Sequence, residues 1–284
     1  MLDTAFVAPL GHRPRLARLG PAAAPETVVL LHGYPDNLQV FSALAPLLAE
    51  GRQVLAFDWP GLGDSAAWPG GTTPVALAQR LLALLDAWNL PRVHLVGQDM
   101  GMQPALVFAA TYPERLHSLT ALNGLAGGEV ITSWEITWLR RLGLNRLLLR
   151  HLPRLVFGQA LRTFLPRPEA LPTPLRQELW RTFRQPAVRD YIVRMCAGYE
   201  AQLPRLPARY QQISCPVLIL WGANDKHFPV AQARYLATLI PRARLVIIPQ
   251  APHWMVLTHA PQVAAALQRF WDGLSGSANL LLGA

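Results

Sequence analysis

Short apolar runs, each closed by glycine, proline, aspartate or asparagine, alternate along the chain with stretches whose apolar positions return every three or four residues. Thr27–Leu31 is fully apolar, as a strand buried on both faces of a parallel sheet must be. Val54–Phe57, Val93–Val96, Ser118–Leu122, Cys215–Trp221 and Arg244–Ile248 read as further strands, and residues 6–18 as a short exposed β pair. From Pro74 a helix places Ala78, Leu81, Leu82, Leu85 and Trp88 on one face. Another helix is expected near Ala231–Leu239. The last carries Val263, Ala264, Leu267, Phe270 and Trp271 on its inner stripe and gives way to a frayed tail after Gly273.

Strands alternating with helices predict an α/β fold, with a mostly parallel sheet covered by helices on both faces. The alternation stops from about Gly127 to Leu206. There a leucine-, arginine- and tryptophan-rich block reads as helices broken at Pro153, Pro166, Pro168, Pro172, Pro174 and Pro186. The expected division is a first core segment at 1–125, an inserted helical cap at 126–207 and a second core segment at 208–284.

Composition narrows the function classes. No apolar run is long enough to span a bilayer, and the start of the chain has an acid where a secretory leader needs basic residues. Two cysteines, Cys196 and Cys215, make no disulfide framework, so a cytoplasmic location is expected. The net charge of +9 is almost all arginine, because Lys226 is the only lysine. The arginines are scattered and show no nucleic-acid motif, so a solvated basic surface is expected rather than a nucleic-acid or membrane partner. The other histidines lack metal-ligand spacing, and no metal or cofactor is expected.

In open α/β sheets, sites form beyond the carboxyl ends of the strands. Those ends carry His32-Gly33-Tyr34-Pro35, Gly97-Gln98-Asp99-Met100-Gly101, Asp225 and His253. The glycines around Asp99 mark a strained strand-to-helix turn with one reactive side chain at its tip, and the order nucleophile, acid, histidine fits a triad. His32 is expected to brace its loop, and Asp58 and Asp64 to serve as turn residues.

These four motifs together resemble the α/β-hydrolases with an aspartate nucleophile, the group that holds epoxide hydrolases and haloalkane or haloacetate dehalogenases. The resemblance spans about residues 5 to 275. It implies catalytic Asp99, Asp225 and His253, with the backbone N–H groups of Tyr34 and Met100 as oxyanion donors. A carboxylate suits displacement at saturated carbon, where it forms an alkyl ester that water cleaves with His253 as general base. Asp225 would orient the imidazole.

An epoxide oxygen needs a proton donor, and the cap offers Tyr199 and Tyr191. A halide needs N–H donors, and the cap offers Trp134 and Trp138, while the residues usual after the nucleophile and after His-Gly are absent. The expectation is therefore an epoxide hydrolase acting on a small apolar molecule, as a monomer or homodimer. Dehalogenation of an organohalide is the alternative, and a non-catalytic binding protein on the same fold is a further one.

Overall fold

The computed structural model describes residues 1–7, 11–127 and 132–282. Residues 8–10, inside the expected β pair, and 128–131, at the start of the expected cap, lie outside it. Eight strands form one sheet: β1 (Ala5–Phe6), β2 (Arg15–Leu19), β3 (Thr27–Leu31), β4 (Gln53–Phe57), β5 (Val93–Gln98), β6 (Leu116–Leu122), β7 (Val217–Gly222) and β8 (Arg244–Ile248). Their order is β1-β2-β4-β3-β5-β6-β7-β8. β1 and β2 pair antiparallel, β2 joins β4 antiparallel, and every other pairing is parallel.

The continuous apolar runs are the inner strands. Every residue of β3, β4, β5 and β7 is buried, whereas edge strand β8 alternates between exposed and covered positions. Such strands have no solvated face and gain from burial on both sides. β6 begins two residues before the expected Ser118, because Leu116 already pairs with Val93.

Helices α1 (Ala45–Leu48), α2 (Pro74–Ala87) and α3 (Met102–Thr111) precede the block between β6 and β7. α2 starts as its sequence dictates: Thr73 Oγ1 accepts from the Ala76 N–H at 3.2 Å, and Pro74 follows at the first helical position. The block holds α4 (Trp134–Leu139), α5 (Leu142–His151), α6 (Pro153–Phe164), α7 (Thr173–Phe183), α8 (Pro186–Gln202) and α9 (Leu206–Tyr210). Pro153 and Pro186 stand where helices begin, since proline lacks the N–H that a first turn leaves unused. α10 (Val230–Leu239), α11 (Met255–Thr258) and α12 (Ala260–Leu282) complete the fold. α12 runs through Gly273, so the frayed tail expected after that residue is helix as far as Leu282. Among the described residues no helix is long and apolar enough to cross a membrane.

A seam of four charges joins the helical block to the sheet. Arg15 Nη1 on β2 reaches Asp64 Oδ2 at 3.0 Å and Glu178 Oε1 on α7 at 2.6 Å. Arg181 bonds the same two carboxylates, including Glu178 Oε2 at 2.9 Å. Asp64 is thus more than the turn residue expected. His32 does brace its loop: Nε2 accepts from the Trp59 N–H at 3.2 Å, and Nδ1 lies 2.9 Å from the Gly33 carbonyl.

Candidate active site

Asp99 stands at the tip of the turn between β5 and α3, at φ +51°. That left-handed backbone costs a non-glycine residue roughly 1–2 kcal/mol, and it is held by close packing on either side. A Cβ on Gly97 would meet the Gly101 carbonyl at 2.7 Å and the Ala105 Cβ at 2.8 Å, so strand and helix approach only with glycine there. The turn lifts the Asp99 side chain above the carboxyl edge of the sheet, where the loop after β3 presents Gly33 to it.

The triad expected from the strand ends is assembled in space. His253 Nε2 lies 3.1 Å from Asp99 Oδ2, and its Nδ1 lies 2.9 Å from Asp225 Oδ2. Asp225 is held in turn by the N–H groups of His227 and Phe228, donated to its Oδ1 at 2.7 and 2.9 Å. Asn123, at the end of β6, ties the histidine loop to the acid strand. Its Nδ2 donates to the carbonyls of Pro252 and His253 at 3.2 and 3.0 Å, and its Oδ1 accepts from the Gly222 N–H at 3.0 Å.

Ionised carboxylates only accept hydrogen bonds, so an imidazole flanked by two of them donates from both nitrogens and is an imidazolium. Burial opposes that charge, but Asp225 and then Asp99 outweigh it and hold the His253 pKa up at about 10. Burial pushes the Asp99 carboxyl above its ordinary value, against the pull of His253. Neighbouring His227 is driven the other way, well below the usual histidine range, by burial and by the His253 charge. The site therefore rests with a charged and a neutral histidine side by side, their ring centres 5.1 Å apart.

A cavity of about 70 Å³ lies over Asp99, lined among others by Tyr34, Met100, Gln103, Tyr199 and His227. A second of about 160 Å³ shares Tyr34 and His227 with it and continues outward between Trp134, Trp138, Leu155 and Phe164. The Met100 N–H, an expected oxyanion donor, is taken by Asp99 Oδ1 itself. Tyr199 lines the cavity, but its hydroxyl donates to the Met100 carbonyl. Tyr191 does not line it: its hydroxyl accepts from Arg80 at 3.0 Å and its ring packs on Gly61. Trp134 and Trp138 sit half-exposed at the outer mouth, away from Asp99. Of the hydroxyls expected to protonate an epoxide oxygen, that of Tyr199 thus donates elsewhere and that of Tyr191 lies away from the inner cavity, and both indoles stand outside it.

Several site residues escaped the sequence reading. His227 is buried with neither ring nitrogen hydrogen-bonded, and Gln103 Oε1 and the Tyr34 hydroxyl are likewise unpartnered beside the same cavities. Arg140 lines the inner cavity but is paired through Nε and Nη2 with Glu200 at 2.8 and 2.9 Å. The spacing of His227 from Asp225 was the one available signal, since the strand-end acid loop that carries Asp225 also aims its next turn at the site.

The model of the alpha/beta hydrolase fold family matches residues 26–260. A 2-hydroxy-6-oxononadienedioate/2-hydroxy-6-oxononatrienedioate hydrolase of Cupriavidus pinatubonensis is 30% identical over 250 residues, covering 84% of each chain. A Pseudomonas putida enzyme of the same name is 30% identical over 245 residues, covering 83% of this chain and 84% of its own. In fold, the structure of a putative lipase from Acinetobacter baumannii AYE superimposes with a TM-score of 0.85 at 22% identity, over 97% of this chain and 93% of that one. These relatives overturn the expectation of an epoxide hydrolase, and with it the dehalogenase and binding-protein alternatives: they are named for hydrolysing a keto dienedioate. The expectation gave one side chain, Asp99, more weight than the framework around it, and of its two proton donors Tyr199 is bonded to the Met100 carbonyl and Tyr191 stands away from the cavity. The chain is a hydrolase and belongs to the α/β-hydrolase fold family.

Proposed function

We propose that this enzyme hydrolyses a bond at a carbonyl carbon of an apolar keto substrate, the carbon–carbon bond beside the ketone in the first instance. The relatives' keto dienedioate contains no ester or amide link, so the bond a hydrolase can break in it lies next to the 6-oxo group. The observation that carries the reading is the line Asp99–His253–Asp225, in which a buried carboxylate lies within hydrogen-bond reach of an imidazole clamped by a second carboxylate.

In this reading Asp99 is a base and His253 an acid. A carboxylate that attacked a carbonyl would form an anhydride, a product with no advantage over the starting bond. Water is therefore the nucleophile. Asp99 takes a proton from water as its oxygen bonds to the carbonyl carbon, and the N–H groups of Tyr34 and Met100 receive the oxyanion. Substrate must displace Asp99 Oδ1 from the Met100 N–H to use that donor. The step needs the substrate as its 2-keto tautomer, in which the proton of the enol hydroxyl has moved to carbon 5. As the tetrahedral intermediate collapses, the carbon–carbon electron pair then leaves as an enolate delocalised onto that keto oxygen, and the His253 imidazolium protonates it. The proton on Asp99 then returns to His253 and the pair is restored. The apolar outer cavity holds the substrate's apolar arm.

The test follows loss of the conjugated chromophore of a 2-hydroxy-6-oxo-6-aryl dienoate in heavy-oxygen water under single-turnover conditions. The expected result is turnover with label in the released acid and none in the Asp99 peptide. Turnover of simple esters alone would defeat the carbon–carbon reading, and label in Asp99 would defeat the water mechanism.

A further inference from the structure

The outward face of the helical block brings together two kinds of side chain that a solvated surface keeps apart. Nine large apolar residues are well exposed among the described residues; six of them are in the helical block, and of these Trp134, Trp138, Leu152 and Leu155 line the hollows of one surface. The Trp134 and Trp138 rings meet edge to face at 5.7 Å and, with Leu155, form the mouth of the outer cavity.

Leu155 also lines the next depression, of about 500 Å³, with Leu152, Arg154, Arg184 and Arg189. Arg189 in turn lines a third, of about 540 Å³, with Arg146, Arg150 and Arg194, where Asp190 is the one acid in the lining. The shared residues make a continuous surface, mostly apolar at the cavity mouth, where the one acid, Glu135, accepts from Gln159 and Thr163, and increasingly cationic away from it. Among the described residues, the arginines held by carboxylates are Arg15, Arg52, Arg115, Arg140 and Arg181, and none of them lines these three hollows. The six arginines that line these depressions are in no ion pair among the described residues, although Arg154 and Arg194 lie over the Trp180 and Tyr191 rings and Arg189 donates to the Arg184 carbonyl.

We propose that this face docks on the surface of an anionic phospholipid bilayer. Tryptophan and leucine side chains gain from the boundary between headgroups and acyl chains, where indole rings are favoured. Guanidinium groups around them reach back to phosphate oxygens, which they match with paired donors, while their stems lie on apolar surface. The negative surface potential adds attraction for every arginine in the set. Nucleic acid would meet the charge but leave the leucines in water. The docked orientation departs from the sequence expectation of no membrane partner. It also turns the Trp134–Trp138 mouth to the lipid, so that an apolar substrate can enter without crossing water. That entry route rests on the proposed function; docking does not, and its test needs no turnover.

Flotation with phosphatidylcholine vesicles, and with vesicles containing phosphatidylglycerol, tests it directly. The protein is expected to float with the anionic vesicles and not the neutral ones, and to be released by salt. Trp134→Ser with Trp138→Ser, and separately Arg146→Glu with Arg150→Glu, should each weaken binding about tenfold or more while leaving the melting temperature unchanged. Arg205→Glu with Arg209→Glu makes the same change in net charge off this face and should bind nearly as the parent does. Equal loss in that control would mean bulk charge alone and would overturn the proposal, as would equal binding to both vesicles or to neither. So would a dimer, seen by sedimentation, that the tryptophan variant dissolves in the absence of vesicle binding.

Discussion

A Cβ placed on Gly33 would lie 2.4 Å from the Asp99 Cβ and 2.6 Å from its Oδ1. The loops that follow two strands, β3 and β5, are thus pressed together at the Asp99 carboxylate. The neighbour is a short, fixed side chain on a strained backbone, so it cannot yield cheaply. Gly33→Ala is expected to displace Asp99 by a good part of an ångström and to lower kcat/KM about a hundredfold. Steady-state kinetics beside a thermal melt checks it; unchanged kinetics in a folded variant would contradict the contact.

Asp99→Asn keeps the shape of the side chain and removes its basicity. Turnover is expected to fall by about 10²–10⁴-fold, the usual range for loss of a positioned proton-transfer group. The same change removes one of the two charges that hold His253 protonated, so the His253 pKa should drop from about 10. An imidazole titration by NMR separates this outcome from simple misfolding. A His253 that titrates unchanged would show that Asp99 does not share its proton.

The raised His253 pKa sets a pH dependence. The folded value is about 10 and the ordinary value 6.5, so the stabilisation is complete below 6.5 and is lost as pH rises through about 10. As the acid of the proposed mechanism, His253 works while protonated. The rate should therefore pass through neutral pH without a histidine inflection and fall on the alkaline side near 10. A pH–rate profile with an ascending limb near the ordinary histidine value would assign His253 the opposite role.

Asn123→Ala removes three hydrogen bonds and leaves two buried carbonyls and one N–H without partners. The expected cost is roughly 2–4 kcal/mol, a fall of several degrees in melting temperature for a chain of this size. Differential scanning calorimetry gives the number. A variant as stable as the parent would mean the histidine loop holds its place without this tie.

The sheet was legible because its strands are covered on both faces. Thr27–Leu31 and Arg244–Ile248 have the boundaries their apolar runs imply. The tip of the turn was legible too, since the glycine spacing that permits a φ of +51° at Asp99 is a local property. What was not legible depends on partners far apart in the chain. Tyr191 reads like Tyr199 in sequence, yet Arg80, 111 residues away, claims its hydroxyl. Asn123 and His227 gain their meaning from loops that meet above the sheet. The identity of Asp99 invited a reaction class that a single side chain could not decide, because the same carboxylate can attack carbon or take a proton from water.

The seam of Arg15, Asp64, Glu178 and Arg181 gives the helical block an acid-labile latch. Both carboxyls are held below their ordinary values by the guanidiniums, against partial burial, so their contribution is present above the usual carboxylate range and vanishes as pH falls through the lowered values. Acid below the usual carboxylate range should loosen α7 from β2, which amide exchange on α7 would register as local opening. Only below the usual carboxylate range would the helical block come unfastened, and by then Asp99, whose carboxyl burial holds above its ordinary value, would already carry a proton.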